Sequence, residues 1–179
     1  MSEKAVSTGN EQLMAEPRNL GCTFTSMKAR NIFAIAAAQS VVEGPGVVYN
    51  PLYIYGDTGV GKTYLLQVIG NEMEKHNPAL KVLYTSGKKF VEHTDKARRD
   101  DSLNNLCRQY EKLDALLIDD IEDVAALLDA QQVLSNVIMK MRDDGHQLVV
   151  TAKAKPEEIA ELDTRLAMRL TFGLITDMI

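Results

Sequence analysis

At 179 residues the chain is long enough for one domain with a sizeable core and too short for two. Its 45% hydrophobic and 25% charged residues fit a soluble globular protein. No apolar run approaches the roughly 20 residues of a membrane-spanning helix, and the start, MSEKAVSTGNEQLMAEPRNLG, lacks a secretory signal, so a cytoplasmic protein without membrane contact is expected. A net charge of −5 argues against a domain whose main task is coating nucleic acid.

Residues 1–22 are polar and aperiodic, which predicts a flexible or loosely docked arm, with the folded domain covering 23–179. The Ala-rich stretch Lys28–Val42 has near-helical apolar spacing at Ile32, Ile35, Ala36 and Ala38, and GPG at Gly44–Gly46 stops it. Short apolar runs follow at Leu52–Tyr55, Val82–Thr85, Ala115–Asp119, Leu148–Thr151 and Gly173–Thr176, and read as strands buried on both faces. Amphipathic stretches at Lys62–Lys75, Asn104–Glu111, Ala130–Asp143 and Pro156–Leu170 read as helices between them. Lys88–Phe90 with Lys96–Arg99 is the chain's candidate basic strip, but Asp100 and Asp101 follow at once and a solvated loop of mixed charge is the expected reading. Strands alternating with helices imply a parallel sheet covered on both sides, a three-layer α/β domain.

Cys22 and Cys107 are far apart and outside any metal or redox pattern, so reduced thiols are expected. The three histidines have no ligand-spaced companions, and no metal site is built from protein ligands alone.

The segment Gly56, Asp57, Thr58, Gly59, Val60, Gly61, Lys62, Thr63 satisfies G-x-x-x-x-G-K-T between a strand and a helix. Its glycines let successive backbone amides point into one concavity suited to phosphate oxygens. Lys62 offers a mobile positive charge for the β- and γ-phosphates, the Thr63 hydroxyl can ligate Mg2+, and the helix running on through Tyr64 adds its N-terminal dipole. These residues, Tyr64 included, form the candidate cradle for ATP or ADP. In LDALLIDDIED the apolar run delivers Asp119 and Asp120 to the C-terminal edge of a strand, where ligands of parallel sheets sit. Asp119 is the candidate Mg2+ holder, through water, and Asp120 the candidate for orienting the attacking water.

YNPLYIYGDTGVGKTYLLQVIGNE, LDALLIDDIE and RLAMRLTFGLITD together resemble the nucleotide-binding domain of the bacterial replication initiator DnaA family, members of the AAA+ P-loop NTPases. The resemblance runs from about Thr23 onward. It implies a five-stranded parallel sheet of order 5-1-4-3-2, ATP with Mg2+ as ligand, slow hydrolysis, and assembly that reads the nucleotide at a subunit boundary. It also implies that Arg169 reaches a neighbouring subunit's ATP, with Arg165 beside it, and that Thr151 senses the γ-phosphate. Glu161, four residues before Arg165, offers the alternative of a surface ion pair.

Departures from the family pattern shape the remaining expectations. The sequence ends at LITDMI, without the helical lid and DNA-reading domain that follow in the initiators, so reading of double-stranded DNA by this chain alone is not expected. TFTSMKARN lacks the family's adenine-packing VVG-like stretch. Leu127–Asp129 stands where a basic segment lines the channel for single-stranded DNA, and Lys153 stands where the family is acidic. A weak homo-oligomer, or pairing with another AAA+ subunit through Arg169, is expected. The apolar stretch Val124–Met141 suggests a second reading, a protein-interaction module that keeps the fold with little hydrolysis. A third is a piece of a longer initiator.

Overall fold

The structure is a computed structural model and describes residues 13, 15–27 and 31–179. Five strands, β1 (Leu52–Tyr55), β2 (Val82–Ser86), β3 (Ala115–Asp119), β4 (Gln147–Ala152) and β5 (Leu174–Asp177), form one sheet of order β2-β3-β4-β1-β5. Every neighbouring pair is parallel, and from the other edge this is the expected 5-1-4-3-2. Because successive strand side chains point to opposite faces, each strand feeds two cores. Leu116, Ile118, Leu148 and Val150 join one core, while Ala115, Leu117 and Val149 join the other. Both β3 and β4 are buried at every position, which explains why they show no polar alternation in sequence.

Helices α1 (Ile32–Glu43) and α2 (Lys62–His76) cover the second core. The first lies beneath α3 (Gly87–Arg99), α4 (Leu103–Glu111), α5 (Leu128–Asp143) and α6 (Thr164–Leu170). The apolar stretch between Val124 and Met141 is spent on this core: Val133, Leu134, Val137, Ile138 and Met141 are all buried. Leu128, the first residue of α5, stays exposed.

The charged segment expected to be a loop is helix α3. Phe90, Thr94 and Ala97 recur at helical spacing and are buried, and Ser86 caps the start by accepting from Lys89 N at 3.2 Å. Its charges pair along the exposed face, Lys89 with Glu92 at 3.0 Å and Asp95 with Arg98 at 2.7 Å. The helix expected over Pro156–Leu170 is also corrected. A 3-10 turn covers Pro156–Glu158, the backbone reverses at Glu161 with φ 62°, and α6 starts afresh behind Asp163. The Asp163 carboxylate accepts from Arg165 N and Leu166 N at 3.0 and 3.1 Å, an N-cap the apolar spacing does not reveal. The start of the first helix as expected, Lys28–Arg30, lies outside the described residues.

Residues 1–12 of the expected arm also lie outside the described residues, but 15–22 are bound to the domain. Glu16 N donates to Tyr84 O at 3.1 Å, and the Glu16 carboxylate accepts from Ser86 N. Arg18 forms an ion pair with Glu74, Asn19 N donates to Gln67 Oε1 at 2.9 Å, and Cys22 is buried. A polar segment without period can still dock when its partners are the ends and flanks of other elements, a signal that periodicity does not carry.

Candidate functional site

The C-terminal ends of β1, β3 and β4 converge on one edge of the sheet. As β1 ends, Gly56 N donates to Ala152 O at 3.2 Å, and the chain turns into the loop that starts α2. Gly59 and Gly61 have φ of 89° and 105°, a region that glycine enters without a Cβ penalty. A Cβ at Gly56 would lie 2.2 Å from Met178 O, so β5 also requires glycine there. The loop wraps the N-terminus of the 15-residue helix α2, where unpaired amides and the helix dipole favour an anion.

Lys62 is buried, and its Nζ donates to Gly56 O at 2.7 Å and to Asp57 O at 2.9 Å. A cavity of about 590 Å3 opens above the loop, walled by Thr58, Gly59, Gly61, Lys62, Thr63 and Tyr64. Asp120 and Lys153 close it on the sheet side, and Asn19, Cys22 and Gln67 on the other. Of the expected cradle residues, Gly56, Asp57 and Val60 do not line it. Val60 packs against the core beneath α1 and α2, leaving only its backbone to the loop.

Asp119 and Thr151 sit one layer behind the cavity wall, both buried. The Thr151 hydroxyl donates to one oxygen of Asp119 and accepts from Asp120 N at 3.0 Å. The other Asp119 oxygen accepts from the Tyr84 hydroxyl at 3.3 Å. Burial and the charge of Asp119 push the Tyr84 hydroxyl up to about 12, so it remains a donor. Asp120 has φ 51°, and this left-handed backbone stands at the point where the strand hands its carboxylate to the cavity. Its acidity is weakened first by burial and then by the charges of Asp119 and Glu122, against which Lys153 and Lys62 act.

Arg169 is not at the cavity. It lies on α6, and its guanidinium donates to the backbone carbonyl of Ser135 and, at 2.6 Å, to the Ser135 hydroxyl on α5. Arg165 is exposed and forms no ion pair with Glu161, whose carbonyl instead accepts from Gln131 Nε2 at 3.0 Å. Tyr84, Gln67, Asn19 and Cys22 were not visible as site residues because no motif carries them. The one signal was Lys153, whose departure in charge puts an ammonium on the cavity wall.

A glycine loop feeding a helix, an acidic pair ending β3, and strand order β2-β3-β4-β1-β5 define a P-loop NTPase fold of the AAA+ class. The model of the bacterial DnaA ATPase domain family matches residues 19–177, and the chain belongs to that family. Domain III of the Thermotoga maritima replication initiation protein DnaA superposes with a TM-score of 0.86 at 35% identity, covering 92% of this chain and 69% of that one. AMPPCP-bound DnaA from Aquifex aeolicus gives 0.85 at 25% identity over 92% of this chain and 51% of that one. A replication initiator DnaA bound to AMPPCP and single-stranded DNA gives 0.85 at 25% identity over 91% and 51%. The chain thus spans about half the length of these last two.

Proposed function

We propose that the chain is an ATP-responsive AAA+ module of DNA replication initiation or its regulation. It binds ATP or ADP with Mg2+, hydrolyses ATP slowly, and associates weakly with another copy or another AAA+ subunit. The observation that carries this reading is the facing arrangement of Lys62 and Thr63 in a glycine cradle and Asp120 across one cavity, with Asp119 and Thr151 hydrogen-bonded behind.

Each residue has a role set by its position. The loop amides and Lys62 hold the phosphates. The Thr63 hydroxyl and, through water, Asp119 are the groups to hold Mg2+, whose chemistry when bound is neutralisation of phosphate charge. Thr151 and Tyr84 fix the orientation of Asp119. Asp120, made more basic by its surroundings, orients and activates the attacking water. Arg169 supplies charge across a subunit boundary, with Ser135 holding its guanidinium. The AMPPCP carried by two DnaA relatives supports the nucleotide assignment.

Sedimentation of the wild type and Arg169→Ala with ATP, ADP or no nucleotide tests the whole proposal. Larger species only with ATP, lost in Arg169→Ala while nucleotide binding persists, are expected. ATP-driven association that is identical in the variant removes Arg169 from the boundary, and an absence of nucleotide binding overturns the proposal.

A further inference from the structure

At the opposite edge of the sheet, where β1, β4 and β5 begin, a second concavity of about 460 Å3 is lined by Val47, Tyr49, Arg142 and Phe172. Its apolar rim is unusually open. Val47 is 81% exposed, Phe172 43% and Tyr49 42%, although each is a large apolar or aromatic side chain. Arg142 lies with its guanidinium carbon 4.5 Å from the centroid of the Phe172 ring, and among the described residues no carboxylate is within ion-pair distance of it. The neighbouring Asp144 is engaged by Lys140 at 2.8 Å.

The loop that presents these residues is pinned. The buried side chain of Gln147 accepts from Gly46 N at 2.8 Å and donates to Tyr49 O at 3.1 Å. Asn50 donates to His146 O at 2.7 Å and accepts from Leu148 N at 3.0 Å. Tyr49 is held at φ 50°, a left-handed conformation unfavourable for an aromatic residue. A fixed backbone that exposes valines and a tyrosine around an unpaired, ring-stacked cation has no packing purpose within the domain.

We infer that this concavity docks a segment of a partner protein that places a carboxylate on Arg142 beside a bulky apolar side chain on Val47, Tyr49 and Phe172. Charge complementarity selects that occupant: Arg142 is the one cation lining the site, and it has no ion-pair partner among the described residues. The apolar rim distinguishes a peptide from a free anion, which would leave Val47 and Tyr49 uncovered. Phe172 follows the C-terminus of α6, the helix that carries Arg169, and Phe172 N donates to Arg169 O at 3.3 Å. The docking surface therefore touches the helix assigned to the subunit boundary while leaving the nucleotide cavity open.

The test is selection of a displayed random peptide library on the wild-type chain, with counter-selection on the Arg142→Glu, Val47→Asp double variant. Affinities of enriched peptides are then measured on each single variant. The expected result is enrichment of peptides carrying an acid beside Leu, Ile or Phe, with affinity falling about tenfold or more in either single variant. Arg142→Glu should shift preference to the same peptide with lysine in place of the acid. Both positions are exposed or half-exposed, and melting curves establish that the variants fold. No enrichment, enrichment of peptides without an acid, equal binding by the variants, or a dimer that dissolves in Val47→Asp would each overturn the inference. Loss of nucleotide binding with peptide binding intact would count against the proposed function and leave this site standing.

Discussion

Asp120 combines two costs, a left-handed backbone and a carboxylate whose ionisation is opposed by burial and by Asp119 and Glu122. A carboxyl whose pKa is raised by folding stabilises the fold only while protonated. That stabilisation is present below the ordinary carboxylate range and lost as pH rises through the raised value. Ionised Asp120 therefore weakens the fold at neutral pH. Asp120→Asn, which keeps a residue tolerant of the left-handed region, should raise Tm by about 1–3 °C near neutrality. The gain should shrink in acid, and phosphate release should fall by about 10²-fold or more. Calorimetry at neutral and acidic pH with phosphate-release kinetics checks this; a lower neutral Tm in the variant would contradict it. Gly87 makes a complementary case, since a Cβ there would lie 2.3 Å from Asp120 O. Gly87→Ala should cost about 1–3 kcal/mol in denaturant unfolding, because the start of α3 and the turn after β3 have no room to separate.

Among the elements, α3 ties the charged surface to the core. Phe90 is fully buried with its ring 4.8 Å from that of Tyr110 on α4, so Phe90→Ala should cost about 3–5 kcal/mol by urea unfolding. A cost below about 1 kcal/mol would mean α3 is only loosely attached. This helix also shows what sequence conceals. Its buried stripe is narrow, and Lys88, Lys89, Lys96, Arg98 and Arg99 dominate the composition, so charge masks the period that Phe90, Thr94 and Ala97 set. β1, β3 and β4 were legible because a buried parallel strand must be apolar on both faces. The glycine loop was legible because its residues are contiguous. Tyr84 and Gln67 were not, because they reach the site from β2 and α2 through a geometry that only the sheet order creates. Asn19 and Cys22 arrive from a segment whose hydrogen bonds run to α2, and no local pattern announces such docking.

At the scale of the whole molecule the two ends of one sheet carry different chemistry. The C-terminal edge gathers Lys62, Thr63, Asp120 and Lys153 around one cavity, and the N-terminal edge displays Arg142 among exposed apolar side chains. Segment 15–22 is fastened along α2, where Arg18 pairs with Glu74 in the last turn of the helix and the Arg18 side chain is only 10% exposed. Glu74→Gln should leave that cation under-compensated and lower stability by about 1–3 kcal/mol. Since Asn19 and Cys22 belong to the cavity wall, nucleotide affinity should fall with it, as paired unfolding and binding measurements on the variant would show. The proposed function depends most directly on Lys62 holding phosphate. The decisive measurement is titration of the wild-type chain and Lys62→Ala with a fluorescent ATP analogue and Mg2+, with melting curves confirming that both are folded. Saturable binding weakened roughly tenfold or more in Lys62→Ala is the predicted result; equal affinity in the two proteins, or no binding by the wild type, would contradict it.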